Sequence, residues 1–204
     1  MVTAQEALKR LKEGNKRFAS KGGRTARGFE DQARRAELAS KQEPFAIVLG
    51  CSDSRVPSEI VFDQGLGDLF VIRVAGNIVA PSQIGSIEFA ADQFSTRLVV
   101  VMGHTQCGAI SATLEELQRP SENQSKNLRS IVDRVRPSVE GLIKNGIPKD
   151  KASLIQQAVR ANIRASVDQL KHGSDILESL IQDSGLQIVG AEYSLETGVV
   201  EFFE

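Results

Sequence analysis

Phe45-Ala46-Ile47-Val48-Leu49-Gly50-Cys51-Ser52-Asp53-Ser54-Arg55 is the stretch from which the architecture can be read. Its apolar opening is too short for a helix, includes β-branched Ile47 and Val48, and does not alternate with polar residues. That pattern suits a parallel strand covered on both faces. The run breaks at Gly50 into a polar cluster. Two further runs share the pattern, Leu69-Phe70-Val71-Ile72-Arg73-Val74 and Leu98-Val99-Val100-Val101-Met102. The second of these breaks at Gly103 into His104-Thr105-Gln106-Cys107-Gly108. All three are expected to be buried strands.

Between the second and third runs, Ile84, Ile87, Ala90, Ala91 and Phe94 keep a helical period and supply the crossover that parallel strands require. The crossover is expected to be right-handed. Helical patterns continue over Ala109 to Leu117, Leu128 to Leu142 and Ala152 to Leu170. A shorter one has Asp175 and Glu178 as a capping pair and Gly185 as its stop. The end reads as strand, turn and strand, from Leu186 to Tyr193 and from Val199 to Phe203 around Glu196-Thr197-Gly198. The fold class is α/β, a mostly parallel sheet of about four parallel strands plus one antiparallel edge strand, flanked by helices.

Ahead of this core (44–204), Ala7, Leu8, Leu11 and Phe18 form a narrow apolar stripe among lysines and arginines. Residues 1–36 are read as an N-terminal helical arm, either solvated or laid across a partner subunit. With 204 residues, 41% of them hydrophobic, the chain suits a single domain. Its 25 basic and 26 acidic residues leave a net charge of -1. No overall field then draws in nucleic acid or a membrane surface, and a small neutral partner fits better. No cationic leader and no long apolar span occurs, so a cytoplasmic protein is expected, although a chain with its leader removed would read the same way. Two cysteines are too few for a disulfide framework.

Ligands of open doubly wound sheets bind beyond strand carboxyl ends, where connections leave in opposite directions. If the first and third runs are neighbours, Cys51, Asp53, Arg55, His104 and Cys107 converge there. Two thiolates and an imidazole make a three-ligand zinc site whose fourth position is left to water or substrate. Asp53 can take that fourth place in a closed state or pair with Arg55. Taken singly, a cysteine is ordinarily a small buried hydrophobe and an Asp-x-Arg pair a surface ion pair. Five polar residues ending two buried strands would be costly to desolvate without a shared task. His172, in Lys171-His172-Gly173, reads instead as a helix-end or surface residue.

Cys51-Ser52-Asp53-Ser54-Arg55 and His104-Thr105-Gln106-Cys107-Gly108 together resemble the motif pair of the β-carbonic anhydrases, Cys-x-Asp-x-Arg followed by His-x-x-Cys. The likeness extends from Gln42-Glu43-Pro44-Phe45 through Phe70-Val71-Ile72-Arg73-Val74-Ala75-Gly76-Asn77 to the terminal strand pair. It implies zinc on Cys51, His104 and Cys107, a catalytic dyad of Asp53 and Arg55, and Gln42 as a donor to the substrate oxygen. It also implies an apolar pocket at Phe70, Ala75 and Phe89, partly shared across subunits, in a homodimer or a dimer of such dimers. Phe89 stands where plant-type members carry tyrosine, and Val74 where asparagine is often found. Val48 stands where some bacterial members place the tryptophan of an inhibitory bicarbonate site, so that regulation is not expected.

The activity so implied is reversible hydration of carbon dioxide to bicarbonate and a proton by zinc-hydroxide attack. Asp53 would orient the attack, and Gln42 with the Gly108 amide would polarise a substrate oxygen. Other uses stay open at this point. They are hydrolysis of carbon disulfide or carbonyl sulfide on the same scaffold, and a metal-free Cys51 nucleophile or Cys51/Cys107 redox pair. A non-catalytic, zinc-stabilised interaction module also remains. The His-x-Glu and Pro-Cys-x-x-Cys signature of nucleobase deaminases is missing.

Overall fold

The computed structural model describes residues 2–20, 32–120, 125–144 and 150–203. Residues 21–31 of the basic arm lie outside the described residues. In chain order the elements are α1 Ala4–Ala19, α2 Gln32–Leu38, β1 Ala46–Gly50, α3 Ser58–Val61, β2 Leu69–Arg73 and a 3-10 turn at Ala75–Asn77. They continue with α4 Pro81–Gln93, β3 Leu98–His104, α5 Gly108–Gln118, α6 Lys126–Lys144, α7 Lys151–His172, α8 Asp175–Ser184, β4 Gln187–Tyr193 and β5 Val200–Phe203.

Among the described residues the strands form one five-stranded sheet in the order β2-β1-β3-β4-β5. All neighbours are parallel except the antiparallel β4–β5 pair. Every residue of β1 and β3 is buried, as their unbroken apolar runs require. The chain leaves β1 for β2 on one side and later enters β3 on the other, so the β1/β3 boundary is the switch point. Ile47, Leu49, Val99 and Val101 face a core built with α4, α5, α6, α7 and α8. Val48, Val100 and Met102 face a second core under α1 and Phe62.

Two expectations change. The run Leu69 to Arg73 is a strand, but an outer one and only half-buried, because nothing among the described residues pairs with its free edge. Phe70, Phe89 and Phe94 stack on it with ring centroids 5.6 to 6.3 Å apart, and Phe89 stays 53% exposed. The cap of α8 is Ser174, whose hydroxyl accepts from the Leu177 amide at 3.2 Å. Asp175 and Glu178 lie inside the first turn, where they complement the helix dipole. Only an oxygen on the residue preceding the helix reaches back to an otherwise orphaned amide.

The expected N-terminal helix is present as α1, and it packs on its own chain. Ala4, Ala7 and Leu11 are buried in the second core. Asn15 Nδ2 donates to the carbonyls of Val61 and Gly198 at 3.1 and 2.8 Å, while its Oδ1 accepts from the Val200 amide at 2.8 Å. Gly14 passes so close to the Phe62 carbonyl that a Cβ there would sit 1.8 Å from the oxygen.

Candidate metal centre

Gly50 of β1 pairs with Met102 of β3, so Cys51 leaves the sheet level with Gly103, one residue before His104. Beyond His104 the backbone turns through Gln106 with φ 57, and Cys107 becomes the N-cap residue of α5. The ligand atoms of Cys51, His104 and Cys107 all lie within 4.8 Å of one another, and all three residues are buried. His104 Nδ1 donates to the Thr105 carbonyl at 2.9 Å. The lone pair is thereby left on Nε2, which is buried without a hydrogen-bond partner among the described residues. An imidazole nitrogen so desolvated is explained by a bound cation.

The two thiols respond to each other in opposite directions. The Cys107 thiol hydrogen-bonds to Cys51 and, helped by His104 and the amides of Asp53 and Gly76, pulls the Cys51 thiol well below its ordinary range. The adjacent Cys51 sulfur and burial push Cys107 up, against the α5 amides of Ile110 and Ala109. Two sulfurs packed together cannot both ionise without a cation between them. A divalent ion removes that conflict, and two thiolates with one imidazole are the donor set that zinc prefers, so the residues fit the metal.

At the mouth, Asp53 is turned toward Arg55. Arg55 Nε donates to Oδ1 at 2.9 Å and a terminal guanidinium nitrogen to Oδ2 at 2.8 Å, while the Arg55 amide adds a third bond to Oδ1 at 3.0 Å. These bonds hold the Asp53 carboxyl well below the usual carboxylate range. Its Oδ2 lies 3.8 Å from His104 Nε2. Arg73, the last residue of β2, donates to the carbonyls of Cys51 at 3.0 Å and Asp53 at 2.7 Å. One planar guanidinium thus spans the backbone that carries both residues. Gly108 opens α5, and a Cβ placed on it would meet nothing within 4 Å. Ala75 precedes Gly76, whose amide donates to Cys51 Sγ at 3.4 Å.

A family model described as carbonic anhydrase matches residues 46–200, and proteins of this class recur among both curated relatives and solved structures. The chain belongs to the β-class carbonic anhydrase family. It is 38% identical over 192 residues to carbonic anhydrase 2 of Mycobacterium tuberculosis, covering 94% of this chain and 89% of that one. The carbonic anhydrase of Mycolicibacterium smegmatis is 40% identical over 195 residues, covering 96% and 91%. Among solved structures, the β-carbonic anhydrase CcaA superposes with a TM-score of 0.75 at 26% identity, covering 97% of this chain and 95% of that one. CafA of Aspergillus fumigatus gives 0.75 at 25% identity, covering 83% and 79%.

In this carbonic anhydrase, not every residue expected at the site stands beside its own chain's cysteines. Ala75 and Gly108 do, with Asp53 and Arg55. Phe70 pairs with Ile47, whereas Arg73 pairs with Gly50, so Phe70 lies about 10 Å back along the sheet. Phe89 joins it in the aromatic stack. Gln42 is exposed before the amino end of β1, whose level lies about 17 Å from Cys51. His172 is an exposed helix-end residue 3.2 Å from Asp168. Arg73 is a further residue beside the site whose only signal in the sequence is a charge near the end of an apolar run.

Proposed function

We propose that this carbonic anhydrase hydrates carbon dioxide reversibly at a zinc centre held by Cys51, His104 and Cys107. The observation that carries the reading is the buried, unpartnered His104 Nε2 facing two packed thiols at the switch point of the sheet. Bound zinc supplies a Lewis acid that brings the ionisation of water toward neutral pH. Asp53, held by Arg55 beside the three ligand residues, would leave room there for water or substrate, and would close the site if it exchanged Arg55 for a bound metal. From its present position it accepts the proton-side hydrogen bond of the attacking water and aims the oxygen lone pair at carbon. The Gly108 amide, at the first residue of α5, would polarise a substrate oxygen.

Gln42, Phe70 and Phe89 serve the site of a second copy. Phe70 and Phe89 stack at the amino end of β2, where the half-buried strand and the exposed Phe89 ring offer an apolar face, and Gln42 is an exposed residue shortly before β1. A homodimer closed over that face brings Gln42 to the partner's substrate. One solved relative with this fold, from Sordaria macrospora, is described as tetrameric, and a dimer of dimers is the corresponding assembly here.

Stopped-flow hydration with metal analysis tests the reading. Cys51→Ser, His104→Ala and Cys107→Ser are each expected to lose stoichiometric zinc and turnover, since two protein ligands hold the ion far more weakly than three. Full zinc in any one of them removes that residue from the ligand set. A zinc-loaded wild type that hydrates no carbon dioxide overturns the activity.

A further inference from the structure

The turn that brings an amide to Cys51 is gripped from its other side. Gly76 and Asn77 have left-handed backbones, with φ 69 and 44. A non-glycine residue in that region persists only when its surroundings over-determine it. The surroundings here are α7: Asn162 Nδ2 donates to the Gly76 carbonyl at 2.8 Å, and Ser166 Oγ to the Asn77 carbonyl at 3.2 Å. The two donors lie one turn apart on a face whose other members, Leu154, Ala158, Val159, Ile163 and Val167, are buried apolar residues.

Asn162 is only 3% exposed. An asparagine in the middle of an apolar helix face has poor helix propensity and a costly amide to desolvate. Its hydrogen bond reaches 86 residues back along the chain, to the residue whose own amide lies on Cys51 Sγ. The Ala75–Asn77 turn is therefore held between a helix on one side and a sulfur on the other.

We propose that Asn162, supported by Ser166, is a positioning residue for the metal centre, fixing the Gly76–Asn77 turn so that the Gly76 amide stays on the Cys51 sulfur. This rests on Cys51 being a metal ligand. An N–H donated to a thiolate withdraws charge from the sulfur and fixes its direction. Loss of such an outer partner typically lowers metal affinity about 10-fold to 100-fold.

The test uses the full chain loaded with cobalt(II), whose thiolate charge-transfer band reports on the sulfur directly, and zinc affinity measured against a chromogenic chelator. Asn162→Leu keeps the volume and removes the donor. Ser166→Ala removes only the second tether. Leu170→Ala, two turns beyond Asn162 on the buried face and without a hydrogen bond to the turn, is the stability control. Asn162→Leu is expected to shift the band to lower energy and weaken zinc binding by about 10-fold to 100-fold. Ser166→Ala should do the same to a smaller degree, and it carries the test alone if Asn162→Leu does not fold. Leu170→Ala should lower the melting temperature while leaving band and affinity in place. Wild-type band and affinity in folded Asn162→Leu or Ser166→Ala, or an equal change in Leu170→Ala, overturn the inference. A wild type with no thiolate band overturns the assignment of Cys51 itself, and this proposal with it.

Discussion

Replacing Arg73 with methionine separates bracing of the site from ligation of the metal. Arg73 supplies two hydrogen bonds, 3.0 Å to the Cys51 carbonyl and 2.7 Å to the Asp53 carbonyl, and contributes no ligand atom. A bond from a charged donor is worth about 1.5 to 3 kcal/mol when buried. Arg73 is exposed, so about a third of the value of two such buried bonds, about 1 to 2 kcal/mol for the pair together, is expected. For a chain of this length that corresponds to a melting temperature about 2 to 8 °C lower, measured by calorimetry at saturating zinc. Turnover should fall further than stability implies. The lost contacts orient the segment carrying Asp53, and a misplacement of about 1 Å at such a centre costs about 100-fold. Zinc content should stay stoichiometric. Arg73→Lys should be intermediate, because a single ammonium cannot match the fork that reaches both carbonyls. A methionine variant with full zinc and wild-type stopped-flow rates would show that the Cys51–Asp53 segment holds its shape without the brace.

Gln42→Ala should fold, keep its zinc and lose about 100-fold to 1000-fold in turnover, as expected for one oxyanion donor worth about 2.7 to 4 kcal/mol. Co-expressing Gln42→Ala with Cys51→Ser should restore hydration in the mixed dimers, since one chain then supplies the metal site and the other the glutamine. No recovery beyond the separate variants would mean that Gln42 does not act across the interface. Gly14→Ala places a Cβ 1.8 Å from the Phe62 carbonyl oxygen and should destabilise the fold by about 1 to 3 kcal/mol through overpacking. An unchanged urea midpoint would mean that α1 is not seated on its own sheet. Arg160→Met strands Glu192, which is 5% exposed at its side chain and bonded by Arg160 Nε at 2.6 Å. A loss of about 3 kcal/mol is expected from an uncompensated buried carboxylate, and a loss below about 1 kcal/mol would refute its burial as an ion pair.

Much of this protein was legible as a string of residues because the signals are local. Phe45 to Leu49 and Leu98 to Met102 are apolar at every position because central parallel strands are covered on both faces. Cys51 and His104 stand out because polar clusters end those two runs. The motif pair carries the family, and the antiparallel end of the sheet follows from the turn around Gly198 between two apolar stretches.

What the residues alone left open depends on neighbours distant in the chain. Leu69 to Arg73 resembles the central runs, yet it becomes a half-buried edge, because strand order is set by how the connections pack and not by composition. Ala7 and Leu11 show that α1 has an apolar stripe, but only Phe62, Val61 and Gly198 show what covers it. Arg73 and Asn162 read as an ordinary charge and an ordinary polar helix position. Their partners lie 22 and 86 residues away, and a hydrogen bond at that separation exists only once packing has brought the two backbones together. The same holds for Gln42. Its spacing from Cys51 matches the family pattern, whereas the rigid length of β1 between them keeps it far from its own chain's Cys51.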